Sequence, residues 1–197
     1  MQALIRSHPL GTFVVMTHSG LEVNHLPFII DTTANTHGVL QGHVPKANSL
    51  WQQTLHNEAV VIFQGPEAYI SPSWYPSKRE HGKAVPTWNY AVVHVYGTVR
   101  FIRDRTWLLN HVTALTRQQE STMDLPWQVS DAPVDYLDTM LGNIVGVEIE
   151  VTRLLGKWKT TQNRPNADRL GVVAGLHAQQ TEHAAAMAAL VNAKVED

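Results

Sequence analysis

Cysteine is absent from this chain, which excludes disulfides, thiolate zinc sites and a cysteine nucleophile. An excess of positive charge is missing too. With 15 Lys and Arg against 17 Asp and Glu, and a net charge of -2, the composition lacks the broad basic surface that neutralises nucleic-acid phosphates. Direct nucleic-acid binding is therefore not expected. No stretch approaches the roughly 18 apolar residues of a membrane span, and the N-terminus lacks the charged start, apolar run and small-residue cleavage site of a secretory signal. A soluble, cytoplasmic protein with no membrane partner is the expectation. Several catalytic signatures are also absent: there is no GxSxG elbow, no HExxH pair, no Walker loop, no dinucleotide glycine fingerprint and no paired acid-base carboxylates.

What remains is ordinary globular material of 197 residues, 44% hydrophobic and 16% charged, enough for one compact domain with extensions. Thr12 to Thr17 is β-branched and apolar, Ser19-Gly20 marks a turn, and Leu21 to Ile30 resumes an extended pattern, so a hairpin is predicted. A polar loop around Asp31 to Asn35 leads into a short strand at His37 to Gln41. Gly42-His43-Val44-Pro45 is read as a break before a helix starting near Asn48, with Ser49 and Gln52 as a capping box. Ala59 to Phe63 and Glu67 to Ile70 read as two strands separated by Gln64-Gly65-Pro66, and Ala91 to Ile102 as a long one. Helical spacing follows in Trp107, Leu108, His111, Val112 and Leu115, and again in Val134, Leu137, Met140 and Leu141. Ile144 to Leu154 returns to strand character, Thr160 to Asp168 reads as a loop, and Leu176 to Val195 as a helix that needs a partner surface, which a second subunit would supply.

Four segments carry chemistry. Tyr69-Ile70-Ser71-Pro72-Ser73-Trp74-Tyr75 and Val85-Pro86-Thr87-Trp88-Asn89-Tyr90 set rings and amides between prolines, the make-up of a pocket for a planar ligand or of a rigid aromatic loop. Gly42 to Asn48 places Lys46 and His43 at the expected helix start, where free N–H groups and the helix dipole attract phosphate, although a capped turn has the same composition. Gly156-Lys157-Trp158-Lys159-Thr160-Thr161-Gln162-Asn163-Arg164 joins cations, an indole and amides in one run suited to a ligand. The eleven histidines occur singly, so no metal site is predicted.

Taken together, Asn24-His25-Leu26-Pro27, Gly42-His43-Val44 with Ala47-Asn48 and Trp51, Phe63 to Pro66 continuing through Tyr75, Val85 to Tyr90 with His94, and Gly156 to Arg164 resemble the PaiB family of FMN-binding negative transcriptional regulators. The resemblance spans His8 to Asp168. One departure stands at Lys159-Thr160-Thr161-Gln162-Asn163, where the family has an apolar residue and a serine before the two amides. The resemblance implies a mainly β fold with peripheral helices: a six-stranded antiparallel split β-barrel of the pyridoxamine-phosphate oxidase and flavin reductase type over residues 1–175, with a C-terminal helical extension at 176–197. It implies FMN as cofactor, held at a homodimer interface. Asn24, His25, Leu26 and Pro27 would face the isoalloxazine, Gly42, His43, Lys46 and Asn48 would hold the ribityl phosphate, and Val44 would belong to the same cofactor-binding set. Trp88, Asn89 and Tyr90 would close the pocket, while Trp158, Lys159, Gln162 and Asn163 would arrive from the facing subunit. The function expected is flavin-dependent redox chemistry on a small molecule or flavin sensing, with indirect negative regulation of transcription. Two alternatives are a direct, DNA-binding regulator without enzymatic activity, and a haem-binding barrel using His25, His43 or His94 as axial ligand.

Overall fold

The computed structural model describes residues 1–33, 36–53 and 55–193, with residues 55–57 described by their backbone alone. The Asp31 to Asn35 loop and the tail of the final predicted helix therefore lie partly outside the described residues. Seven strands form one sheet: β1 (Leu10–Thr17), β2 (Gly20–Pro27), β3 (Ile29–Asp31), β4 (Val39–Pro45), β5 (Leu55–Ile70), β6 (Thr87–Ile102) and β7 (Ile144–Lys159), in the order β2-β1-β5-β6-β7-β4-β3. Among the described residues six α-helices accompany them: α1 (Gln2–Ser7), α2 (Ser77–His81), α3 (Arg105–Glu120), α4 (Val134–Gly142), α5 (Asn166–His177) and α6 (Glu182–Asn192).

The expected six-stranded barrel is corrected to this open, seven-stranded sheet. The added strand arises because Pro27 and Phe28 interrupt the extended run: proline lacks the amide a ladder needs, so Leu21 to Ile30 divides into β2 and β3. Phe28 alone separates them, its amide donating to Pro9 O at 2.8 Å. Three further boundaries moved in the same direction. The Gln64-Gly65-Pro66 break is overridden and β5 runs unbroken, Gly42 to Pro45 continues β4, and β7 extends through Lys159. In each case ladder pairing outweighs local turn propensity. Gly42, for example, lies opposite Val147 and His43 opposite Gly146 in the antiparallel β4–β7 ladder.

By backbone contacts the chain divides into two compact units, residues 1–63 with 94–155, and 64–93 with 156–197. The first has a core of alternating strand residues: Phe13 and Val15 from β1, Leu40 and Val44 from β4, Val61 and Phe63 from β5, and Val145, Val147 and Ile149 from β7 are all buried. Phe28 sits at its centre, edge-to-face with Phe13 at 6.2 Å and Phe63 at 6.0 Å. A Cβ on Gly42 would stand 2.9 Å from the Phe28 ring, so the glycine is needed for close approach rather than for a turn.

In the second unit, Ala68, Ile70, Tyr75, Val172 and Leu176 pack with Ala184, Met187, Ala188 and Val191 of α6. The partner surface required by the C-terminal helix is thus supplied by this chain, and by α5 in particular, which begins at Asn166 within the expected loop. Of the α6 face expected from helical spacing, His183, Met187, Leu190 and Val191, the structure buries Met187 and Val191, while Ala184 and Ala188 rather than exposed His183 complete the face toward the core. Buried Asp168 anchors the unit by accepting from Ser77 N at 3.0 Å and Ser77 Oγ at 2.7 Å.

Candidate functional site

In the first unit, the expected residues fall into two groups. Asn24 on β2 and Asn48 are joined, Nδ2 of Asn48 donating to Asn24 Oδ1 at 2.7 Å. Asn48 also accepts from Leu50 N at 3.0 Å through its Oδ1, capping a single 3₁₀ turn, Ser49–Gln52. That turn replaces the α-helix expected here, and Asn48 is its cap rather than Ser49. A four-residue turn has little dipole, so any anion held here relies on the exposed Lys46 ammonium and the amide side chains. Lys46 is kept in place by its backbone, N to Asn143 O at 2.7 Å, while Trp51 Nε1 donates to Lys46 O at 3.0 Å. On β2, Leu26 is buried, His25 exposed, and Pro27 half-buried.

The second group is centred on His43. Gly42 and Val44 point into the core, which turns His43 to the opposite face of β4, beneath α3. There His43 Nδ1 lies 3.0 Å from His111 Nε2. Trp107 stacks on His111, with ring centroids 5.3 Å apart and planes at 19°. Its ring fits because residue 146 of β7 is glycine, where a Cβ would stand 2.3 Å from Trp107 Cζ3. Trp107 Nε1 donates to Glu148 Oε2 at 3.1 Å, and Glu148 also pairs with Arg100. His111 is 2% exposed and its Nδ1 has no partner. Burial, and secondarily the neighbouring His43, lower its pKa to about 4, and burial lowers that of His43. Both rings are therefore neutral at pH 7, and they share one N–H between them.

In the second unit, Trp88 is 52% exposed and meets Tyr69, 44% exposed, edge-to-face at 6.1 Å. Asn89, one residue on, points to the other side of β6, as strand alternation requires. It is fully buried, and its Nδ2 donates to Thr161 Oγ1 at 2.7 Å. Thr161 holds a left-handed backbone, φ 62°, costly for a β-branched residue. Gln162 closes the same loop, accepting from Thr160 N at 2.7 Å and donating to Trp158 O at 2.9 Å. Lys159 Nζ donates to Thr87 Oγ1, and Asn163 is exposed. Asn89 thus shapes the loop that carries Trp158, Lys159, Gln162 and Asn163. Tyr69, Thr87 and Thr161 lie in the segments singled out from the sequence without being named as cofactor contacts, and His111 was read only as part of a helix stripe. The signals for His111 and Thr161 were, respectively, a polar residue in an apolar helix stripe and a threonine where the family has serine.

The Asn24 and Asn48 amides and the Lys46 ammonium in the first unit, and the Lys159 ammonium and accessible Trp88 and Tyr69 rings in the second, are each kinds of group on which a flavin's phosphate, ring edge and ring plane call. The family model described as "Putative FMN-binding domain" matches residues 1–153. The chain belongs to this family. Its PaiB character is carried by "Protease synthase and sporulation protein PAI 2" of Bacillus subtilis, 32% identical, with 98% of this chain and 90% of that protein covered. An uncharacterised protein of Emericella nidulans is 34% identical over 100% of this chain and 92% of its own length. Among solved structures, this FMN-binding fold resembles the flavocytochrome Anf3 of Azotobacter vinelandii at 11% identity, TM-score 0.55, covering 81% of this chain and 65% of that one. It also resembles the FAD and heme binding protein of Mycobacterium smegmatis at 12% identity, TM-score 0.54, covering 80% and 69%. The cofactor of this chain is a flavin. Among the described residues no helix is long and apolar enough to cross a membrane.

Proposed function

We infer that this protein binds FMN through residues 1–175 as a homodimer and uses it for redox chemistry on a small molecule or for flavin sensing, any influence on transcription being indirect. The match of the FMN-binding family model to residues 1–153 carries this reading. In it, Lys46 and Asn48 take the phosphate, and Asn24 to Pro27 line the ring edge. Gly42 and Val44, which face the core, support this wall from within, and His43 supports it from beneath α3. Trp88 and Tyr90 offer ring faces, while Asn89 acts from behind by holding Thr161. Trp158, Lys159, Gln162 and Asn163 arrive from a second copy of the chain, so the cofactor is completed by symmetry. FMN itself supplies hydride or one-electron transfer, and the protein binds, orients and shields it.

An absorption spectrum of the purified protein, before and after addition of FMN, tests the reading. Flavin bands that co-elute with protein, and a dissociation constant raised about tenfold in Lys46→Ala and Asn48→Ala, a loss of about 1.4 kcal/mol each, are expected. A Soret band instead of flavin bands, or no bound chromophore at any FMN concentration, overturns it. Sedimentation at micromolar concentration gives a dimer in this reading, and a monomer with FMN bound removes the intersubunit placement of Trp158 to Asn163.

A further inference from the structure

We propose that a cleft formed within the first unit by α3, α4 and the segment 126–130 is a binding site for a small aromatic carboxylate, with Arg117 as the anion contact and Trp127 as the stacking wall. The cleft measures about 630 Å³, within the roughly 300–1,000 Å³ of small-molecule sites. None of its lining residues was among those expected to hold the flavin.

Three observations point to an aromatic acid. The first concerns α3, which uses one side, Trp107, Leu108 and His111, to cover the sheet. Its other side lines the cleft with an apolar and hydroxyl surface at Leu109, Thr113 and Thr116, flanked by the polar Asn110 and the charged Arg117 and Glu120. Leu137 of α4 and buried Val129 complete an apolar floor. The second is the fixed posture of Trp127. Its backbone N donates to Glu120 Oε2 at 3.0 Å, and the following turn is closed by Gln128 N to Asp131 Oδ2 at 2.9 Å. Trp127 is nonetheless 47% exposed, a large aromatic residue on a fixed backbone beside an open space. The third is Arg117. Glu120, three residues on, is its natural helical partner, yet that carboxylate is turned to the Trp127 amide, and the ion pairs among the described residues are made elsewhere, at Arg100, Arg105 and Arg153. A guanidinium left without a carboxylate beside an apolar cleft is suited to bidentate capture of a ligand carboxylate, while the ligand's ring lies against Trp127 and Leu137.

The test uses the full chain saturated with FMN, so that the flavin pocket is filled, and 2-naphthoate as probe with neutral 2-naphthylmethanol as control. If the protein takes up no FMN, the same titration is run on the flavin-free chain, because this inference does not depend on the flavin reading. Binding is followed by the NMR shift of the Trp127 indole N–H. Expected are saturable binding of 2-naphthoate, affinity about tenfold or more weaker for the alcohol and for Arg117→Gln, and loss of the Trp127 shift in Thr113→Phe, which fills the cleft. The melting temperature of each variant reports that it is folded, and exposed Arg117 provides the second variant should Thr113→Phe unfold. The proposal is overturned if the Trp127 resonance does not saturate, if acid and alcohol bind alike, or if folded Arg117→Gln binds 2-naphthoate as the wild type does.

Discussion

Acidification should weaken the seat of α3 on the sheet, and His111 makes the effect calculable. Its ring is buried against Trp107 and His43, Nδ1 is without a partner, and its pKa is lowered from 6.5 to about 4, chiefly by burial. The unfolded chain takes up a proton near pH 6.5 that the folded protein refuses until about pH 4. A base with a depressed folded pKa contributes its full stability above the unfolded value, and that stability is lost as pH falls through this window. The whole interval corresponds to roughly 3 kcal/mol, of which about 2 kcal/mol is gone by pH 5. This is a large share of the roughly 5–15 kcal/mol that holds a domain folded.

The perturbation that isolates this contribution is His111→Phe, which keeps an aromatic ring against Trp107 and removes the titrating group. At pH 7.5 the variant should lie within about 1 kcal/mol of the wild type, since it loses one hydrogen bond to His43 but also one buried, unpaired nitrogen. Between pH 7.5 and 5 the wild type should lose about 2 kcal/mol more than the variant. Urea unfolding followed by tryptophan fluorescence at a series of pH values measures the difference, and the carboxylates titrate equally in both proteins and cancel. Parallel stability curves for the two proteins would show that the folded protein accepts a proton at His111, and the reasoning from burial would fail.

Two other substitutions probe close packing. Ala at position 146 would press its Cβ into the Trp107 ring, so Gly146→Ala should destabilise by about 1–3 kcal/mol and break the Trp107–His111 stack, visible as a changed Trp107 indole resonance; unchanged stability would mean that α3 is free to shift. Asn89→Ala removes the buried donor to Thr161 and should cost about 1–3 kcal/mol, releasing the left-handed backbone and shifting the Trp158 indole signal. A Trp158 signal that stays put would separate Asn89 from the loop.

Much of the strand pattern was legible in the chain because alternation is a local property. Thr12 to Thr17 buries every second residue, and Ala91 to Gly97 does the same apart from Val92, which is buried as well, much as a sheet with one face in the core demands. Boundaries were not legible where a glycine or proline had two physical meanings. Gly42 read as a break because glycine permits turns, whereas its role is to leave room for Phe28. Gln64-Gly65-Pro66 read as a turn, whereas ladder pairing carries β5 through it. The site was half visible. Asn24, Lys46 and Asn48 stand at accessible or half-buried positions suited to a ligand, but Asn89 stood in an aromatic, polar run and proved to face inward.

The sequence alone determined the mainly antiparallel class, the absence of thiol chemistry and the family, because composition, period-two alternation and short motifs are each carried by residues close together in the chain. The tertiary structure decided the meeting of His43 with His111, which are 68 positions apart, and that of Asn89 with Thr161, 72 apart. It decided as well which partner covers α6, and the cleft beside Trp127. These depend on which face of a strand or helix is turned toward a distant element. A slip of one residue in register reverses that facing without altering the local pattern.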